Sequence, residues 1–260
     1  MTAVRRASSG RWERIVHCEP VWGTVVSIEI RGAHMAQQSA AQALAAAAAC
    51  AHEVDAHFST FRADSVVSAL RTGTLTLADT PPAVQEVWRA CEYTKWLTRG
   101  AFDSWATPGG FDPSGLVKGW AADRMAELVV DAGFPNVTVN AAGDVTCRGE
   151  QAPGVPWSVG IRDPRSAGDI VRTVDVSAAA VATSGNYERG EHIINPHHYD
   201  AVAKLDSATV IGPDGALADA LATALVIVGN AGVEFFTDLP GWSGYLIAGT
   251  DVSYFGPAFA

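Results

Sequence analysis

Asp219 and Thr223 stand four residues apart in the apolar run 217–228, so an α-helix there puts both side chains on one face. Their neighbours Ala218, Ala220, Leu221, Ala222, Ala224, Leu225, Val226 and Ile227 are all apolar. A carboxylate set among them needs a partner, and a hard cation with oxygen ligands would supply one. The stretch 100–124 carries a second concentration of chemistry. Asp103 and Asp112 lie in a loop crowded with glycine, proline and aromatics, and Lys118 follows in the first turn of a helical run. Asp112 before Pro113 has the form of an N-cap followed by a first helical residue. A helix N-terminus attracts anions through its free N–H groups and partial positive charge. The run Ala180 to Thr183 ends in Ser184-Gly185-Asn186, a tip that can offer backbone N–H groups to a phosphate. His192, His197 and His198 fall within seven residues, with Pro196 between the first and the other two. That spacing argues against zinc and leaves His192 as a candidate general acid or base. Trp22 beside Gly23 is either a core ring at a strand entry or a ring that packs on a planar ligand.

The elements that must position these residues follow from pattern and punctuation. Residues 13–30 alternate and end in the β-rich run Val25 to Ile30, an early strand. The alanine-rich stretch 35–57 is a helix whose small side chains permit close packing. Asp64 or Ser65 caps a short helix through Leu70, and Pro81-Pro82 opens another that stops at Gly100. The helix from Pro113 stops at Gly133. Residues 136–140 and 145–147 are strands about a turn at Gly143-Asp144, where the aspartate reads as turn chemistry alone. Residues 156–161 and 170–176 are successive antiparallel strands, residues 207–212 a further strand, and the segment after Tyr245 a closing hairpin. Strands grouped between helices, without regular βαβ alternation, give an α+β class with a mixed or largely antiparallel sheet. The expected organisation is a flexible tail over residues 1–12 and a single domain of two lobes over 13–260.

Composition excludes some classes. The formal net charge is −10 over 260 residues, which opposes nucleic acid as the main partner. No uninterrupted apolar run reaches the roughly 18 residues a membrane span needs. The first ten residues carry Arg5 and Arg6 but no apolar leader core, so the expected location is cytoplasmic. Cys18, Cys50, Cys91 and Cys147 are scattered without a C-x-x-C pair and read as free thiols. No G-x-G-x-x-G, P-loop or G-x-S-x-G is present.

Eight stretches together resemble one family. They are Trp22-Gly23-Thr24, Phe58 to Phe61 with Asp64-Ser65, Gly100-Ala101-Phe102-Asp103, Asp112 to Ala121, Asn140 to Asp144, Thr183 to Arg189, His192 to Pro196, and Ala218 to Leu225. In order and content they are similar to the ApbE-like FAD:protein FMN transferases. The resemblance implies a T-fold-related architecture with a central FAD cleft, and a magnesium ion bridging the pyrophosphate. It implies transfer of FMN to a threonine hydroxyl of a partner protein with release of AMP. Asp219 and Thr223 would then be magnesium ligands through side-chain oxygens, and Gly115 through its carbonyl. Trp22, Phe61, Ala101, Phe102, Asp103, Asp112 and Lys118 would line the FAD site, joined by Ser184, Gly185 and Ile194. His192 would be the base beside the reacting phosphate. Against the family pattern, the segment between Asp103 and Asp112 is short, Asn195 replaces an aspartate, His197-His198-Tyr199 replaces Arg-Thr-Gly, and Ala142 stands where glycine is frequent. The same site could instead hydrolyse FAD to FMN and AMP, or bind FAD without turnover.

Overall fold

The computed structural model describes residues 12–166, 168–185, 196 and 204–260. Among the described residues, ten strands and five α-helices build an α+β fold, the class expected from the sequence. The N-terminal alternating segment is a hairpin of β1 (Trp12–Val21) and β2 (Thr24–Ala33). Trp22 and Gly23 form its two-residue turn, both with positive φ, 58° and 69°. That turn type matches the right-handed twist of the paired strands, and a tryptophan there is costly without other support. Support comes from its indole Nε1–H, which donates to the Ala51 carbonyl at 3.0 Å.

The alanine-rich run is α1 (Gln37–Phe58), followed by α2 (Val66–Arg71) with Ser65 as its N-cap, its hydroxyl accepting from Ser68 N–H at 3.0 Å. Next come α3 (Pro82–Leu97) and α4 (Val117–Asp131). The start of α4 corrects the expected cap at Asp112-Pro113. Asp112 Oδ1 accepts from Ser114 N–H at 3.0 Å, a local Asx turn. The Pro113 carbonyl accepts from both Leu116 and Val117, so regular helix begins only at Val117. Lys118 keeps its expected place in the first turn.

Strands β3 (Val137–Ala141), β4 (Asp144–Arg148), β7 (Ala178–Gly185), β8 (Ser207–Gly212), β9 (Ser243–Ala248) and β10 (Asp251–Phe255) join the first hairpin in one antiparallel sheet of order β1-β2-β3-β4-β7-β8-β9-β10. Among the described residues, strands β5 (Trp157–Arg162) and β6 (Ile170–Val176) pair only with each other. The period-2 alternation of the central strands explains this third layer. Ala180, Ala182, Ala208, Val210 and Leu246 face the main core with the helices. Val181, Ile211, Ile247 and Cys147 face the other way and pack on Trp157, Ile161, Val174 and Val176 of the β5–β6 hairpin.

Helix α5 (Gly215–Val228) continues as a 3-10 segment through Phe236. Asp214 caps α5, its carboxylate accepting from Leu217 N–H at 2.8 Å. The stretch Gly215–Phe236 is apolar and long enough by composition to cross a membrane, but about two-thirds of its apolar window is buried inside the fold. It is the central helix of the core, and none of its residues 218, 220–222 or 224–226 exposes surface. The four cysteines are free.

Candidate functional site

Two same-end hairpin turns open the site. The β1–β2 turn at Trp22-Gly23 and the β3–β4 turn at Ala142-Gly143 lie side by side because β2 and β3 pair antiparallel. Ala142 and Gly143 repeat the positive-φ geometry, at 57° and 107°, and Asn140 Oδ1 accepts from Gly143 N–H at 2.9 Å. These turns, the end of α1 with Ser59 to Phe61, and the β5–β6 turn at Arg162 to Arg165 and Gly168 enclose a cleft of about 1340 Å³. Phe61 projects into it with 99% of its surface exposed, and Trp22 forms part of its wall. The wall at the β5–β6 turn is fixed by Arg165, which pairs with Asp163 at 2.8 Å and donates to the Gly249 carbonyl at 3.1 Å.

A second cavity of about 270 Å³ adjoins the first, and Ser114, Lys118 and Ala142 line both. Ala101, Phe102, Asp103 and Asp112 form one wall of it. Gly115, Ser184, Gly185, Asp219 and Thr223 line it as well. The structure therefore gathers ten of the sequence-derived site residues around this cavity, with Trp22 and Phe61 in the larger cleft. His192 and Ile194 lie outside the described residues. Asp103 is committed to Lys95, 2.7 Å away, and to the Trp105 backbone N–H at 2.9 Å, so it shapes the wall through an ion pair.

The centre of the site is electrostatic. Lys118 on α4 points its ammonium at two buried carboxylates, Asp144 at the start of β4 and Asp219 in the second turn of α5. It forms a close ion pair with Asp144 and lies 3.4 Å from both oxygens of Asp219. Asp144 and Asp219 are each only 2% exposed. Asp144 Oδ1 also faces the Thr183 N–H at 3.4 Å. Burial raises the Asp219 carboxyl to about 7, Asp144 adds to the rise, and Lys118 opposes it. Lys118 in turn is held above the usual lysine range by the two carboxylates, against the opposing effect of its burial. Asp144 is the site residue that sequence reading missed, because a Gly-Asp pair between strands looks like a turn. Its partner lies 26 residues away, and only the Lys118 position on the next wall reveals its role.

With Asp219 ionised, above about pH 7, two carboxylates facing one ammonium leave a surplus negative charge beside Lys118. Beside it, the hydroxyls of Ser184 and Thr223 lie 3.0 Å apart. Gly115 is pressed against Thr223, so that a Cβ on it would stand 3.5 Å from Thr223 Oγ1 and 3.2 Å from the Phe102 ring. The Asp219 carboxylate and the Thr223 hydroxyl are oxygen donors of the kind a hard divalent cation takes, and Gly115 lines the same cavity. Among the described residues no thiol or imidazole lines this cavity, and no group of three His, Cys, Asp or Glu side chains converges. Among the described residues the donors at this cavity are oxygens, which suits an ion that keeps positions for phosphate or water.

Comparison with known proteins places this arrangement. A protein 31% identical over 146 residues is the FAD:protein FMN transferase of Klebsiella pneumoniae, the match covering 52% of this chain and 42% of the relative. That of Rhodobacter capsulatus is 35% identical over 127 residues, 46% of this chain and 24% of the relative. The matches thus span less than half the length of these curated relatives. In fold, the flavin transferase ApbE from Vibrio cholerae superposes with a TM-score of 0.80 at 20% identity, covering 95% of this chain and 98% of that one. The ApbE protein of Thermotoga maritima gives 0.78 at 23% identity, covering 94% and 96%. The sequence profile of the ApbE family matches residues 22–109 and 106–245, a span that holds both cavities and every charged residue at their junction, and the chain belongs to the ApbE family.

Proposed function

We propose that this protein is a magnesium-dependent FAD:protein FMN transferase that passes FMN from FAD to a threonine hydroxyl of a partner protein and releases AMP. The observation that carries the reading is Lys118, which lines both cavities and is paired with the buried carboxylates of Asp144 and Asp219. A dinucleotide has two bulky halves joined by a pyrophosphate, and two cavities joined at a charged neck match that shape. The similarity to FAD:protein FMN transferases of Klebsiella pneumoniae and Rhodobacter capsulatus supports the activity proposed.

Mg²⁺, held by Asp219, Thr223 and the Gly115 carbonyl, would neutralise charge on the non-bridging phosphate oxygens and orient the pyrophosphate. The remaining roles belong to the chain. The Lys118 ammonium, fixed between two carboxylates, presents positive charge to the phosphates from a set direction. Ser184 and the Gly185 N–H stand on the same wall to receive phosphate oxygens. Trp22 and Phe61 offer ring faces to a planar group in the larger cleft. The threonine Oγ of the partner attacks the FMN phosphorus, the bond from that phosphorus to the bridging oxygen breaks, and AMP leaves with that oxygen. His192 is the group proposed to take the hydroxyl proton, a task for which an imidazole is suited.

The test is to incubate the protein with FAD, Mg²⁺ and a peptide carrying Asp-x-x-Ser-Gly-Ala-Thr, the acceptor pattern such transferases favour, and to separate products by chromatography. Covalent flavin on the peptide with AMP in equal amount supports the reading. FMN and AMP released without peptide labelling would make it an FAD pyrophosphatase. Tight FAD binding that survives chelation, with neither product, would make it a flavin carrier.

A further inference from the structure

Asp123 lies outside both cavities, yet its carboxylate joins the three elements that carry the charged neck. It stands one helical turn after Gly119 on α4. Its Oδ1 accepts from Thr146 Oγ1 at 2.8 Å and from Arg148 Nη2 at 3.0 Å, both on β4. Its Oδ2 accepts from the backbone N–H of Gly215, the first residue of α5, at 2.6 Å. Asp144 lies two residues before Thr146 on the same face of β4, and Asp219 lies one helical turn after Gly215. Lys118 precedes Gly119 on α4 itself. At this point α4 and α5 meet backbone to backbone, since a Cβ on Gly119 would fall 1.9 Å from the Gly215 carbonyl oxygen.

We propose that Asp123 is a positioning residue: its carboxylate ties the first turn of α5 and the start of β4 to α4, and so fixes the spacing of Lys118, Asp144 and Asp219. The inference rests on the metal-dependent reading of that neck. Only a carboxylate suits the position. Three donors from two elements converge on it, and an ionised carboxylate accepts at both oxygens without donating. An asparagine would turn an NH₂ toward either Gly215 N–H or the Thr146 and Arg148 donors. Asp123 also places negative charge at the N-terminus of α5, where the helix dipole favours it. Groups that orient a metal's ligands from behind affect its affinity without touching it.

The experiment is Mn²⁺ binding to the full-length protein, followed by electron paramagnetic resonance, in the wild type, Asp123→Asn, Asp219→Ala and Val67→Ala. Val67 is a fully buried core residue of α2 away from the neck, and its truncation controls for loss of stability alone. Asp123→Asn is expected to weaken Mn²⁺ binding by about tenfold or more, while Val67→Ala stays within about twofold of the wild type. Asp123→Asn binding as the wild type does, or Val67→Ala losing as much, overturns the proposal. If Asp123→Asn fails to fold by circular dichroism, Thr146→Val is read in its place, with about threefold weakening expected from one lost hydrogen bond and wild-type affinity overturning it. Failure of the underlying reading shows elsewhere. A wild type that takes up no Mn²⁺, or an Asp219→Ala variant that binds it unchanged, overturns the metal site and the inference with it.

Discussion

The ammonium of Lys118 stands 3.4 Å from each carboxylate oxygen of Asp219, a symmetric placement across a helix–helix contact that spans 101 residues of sequence. α4 supplies the cation and α5 the anion, and Gly119 and Gly215 let their backbones touch just beside the pair. The near-complete burial of Asp219 gives this relationship consequences for stability as well as for binding.

One consequence is a pH dependence with a definite sign. The Asp219 carboxyl is raised to about 7, with burial as the main cause, whereas an unfolded chain would leave it at about 3.9. Between those values the folded protein holds a proton that the unfolded chain has lost. The group's contribution is therefore fully present below the unfolded value and is lost as pH rises through about 7. Urea unfolding of the metal-free wild type and Asp219→Asn over this range should show the wild type losing ground to the variant as pH rises. A stability difference that stays flat, or moves the other way, would contradict the assignment.

Removing the cation should be worse than removing the anion. Lys118→Met leaves Asp144 and Asp219 facing each other without a counter-charge, and breaking such a buried pair costs about 3–5 kcal/mol. Chemical denaturation should show a loss of this size at about pH 8–9, where the wild-type Asp219 is ionised beside Lys118, shrinking as pH falls through about 7.

The glycine contact makes a steric prediction. Gly119→Ala places a methyl group 1.9 Å from the Gly215 carbonyl oxygen, which forces α4 and α5 apart. Overpacking of this kind costs about 1–3 kcal/mol or more, and the shift also separates Lys118 from Asp219. The variant should melt lower than the wild type and bind FAD more weakly; unchanged melting would show that the two helices yield freely.

The thiols divide by burial. Cys18 is exposed on edge strand β1, while burial pushes the Cys91 thiol up to about 12 and Cys147 to about 11. Native protein treated with a disulfide reagent at pH 8 should react fast at Cys18 and slowly at half-buried Cys50. Cys91 and Cys147 should react only after unfolding.

The sequence made some of this legible and concealed the rest for physical reasons. The helices were visible wherever propensity, period and punctuation agreed, as in the alanine run of α1 and the Pro82 start of α3. Asp219 and Thr223 stood out because a carboxylate among alanines and leucines needs an explanation. Asp112-Pro113 carried the right residues for a helix start, yet the Asx turn and the Pro113 carbonyl took up the local N–H groups first. The turn at Trp22 was hidden because a bulky residue at positive φ is disfavoured, and its indole bond to Ala51 comes from an element 29 residues on. Asp144 and Asp123 look like a turn residue and a solvated helix residue respectively. Their roles come from partners on other elements, and spacing within one element does not record those. The β5–β6 hairpin reads as two more strands of one sheet; its separate layer follows from which faces of β7, β8 and β9 remain apolar.

The proposed metal-dependent flavin transfer requires the oxygen ligands around Asp219. The most direct measurement is in-gel flavin fluorescence of the acceptor peptide fused to a carrier protein, after reaction with FAD and wild type or Asp219→Ala. Wild type should label the carrier only when Mg²⁺ is present, and Asp219→Ala should leave it dark at every Mg²⁺ concentration. Equal labelling by the variant, or wild-type labelling that persists in excess chelator, would contradict the claim.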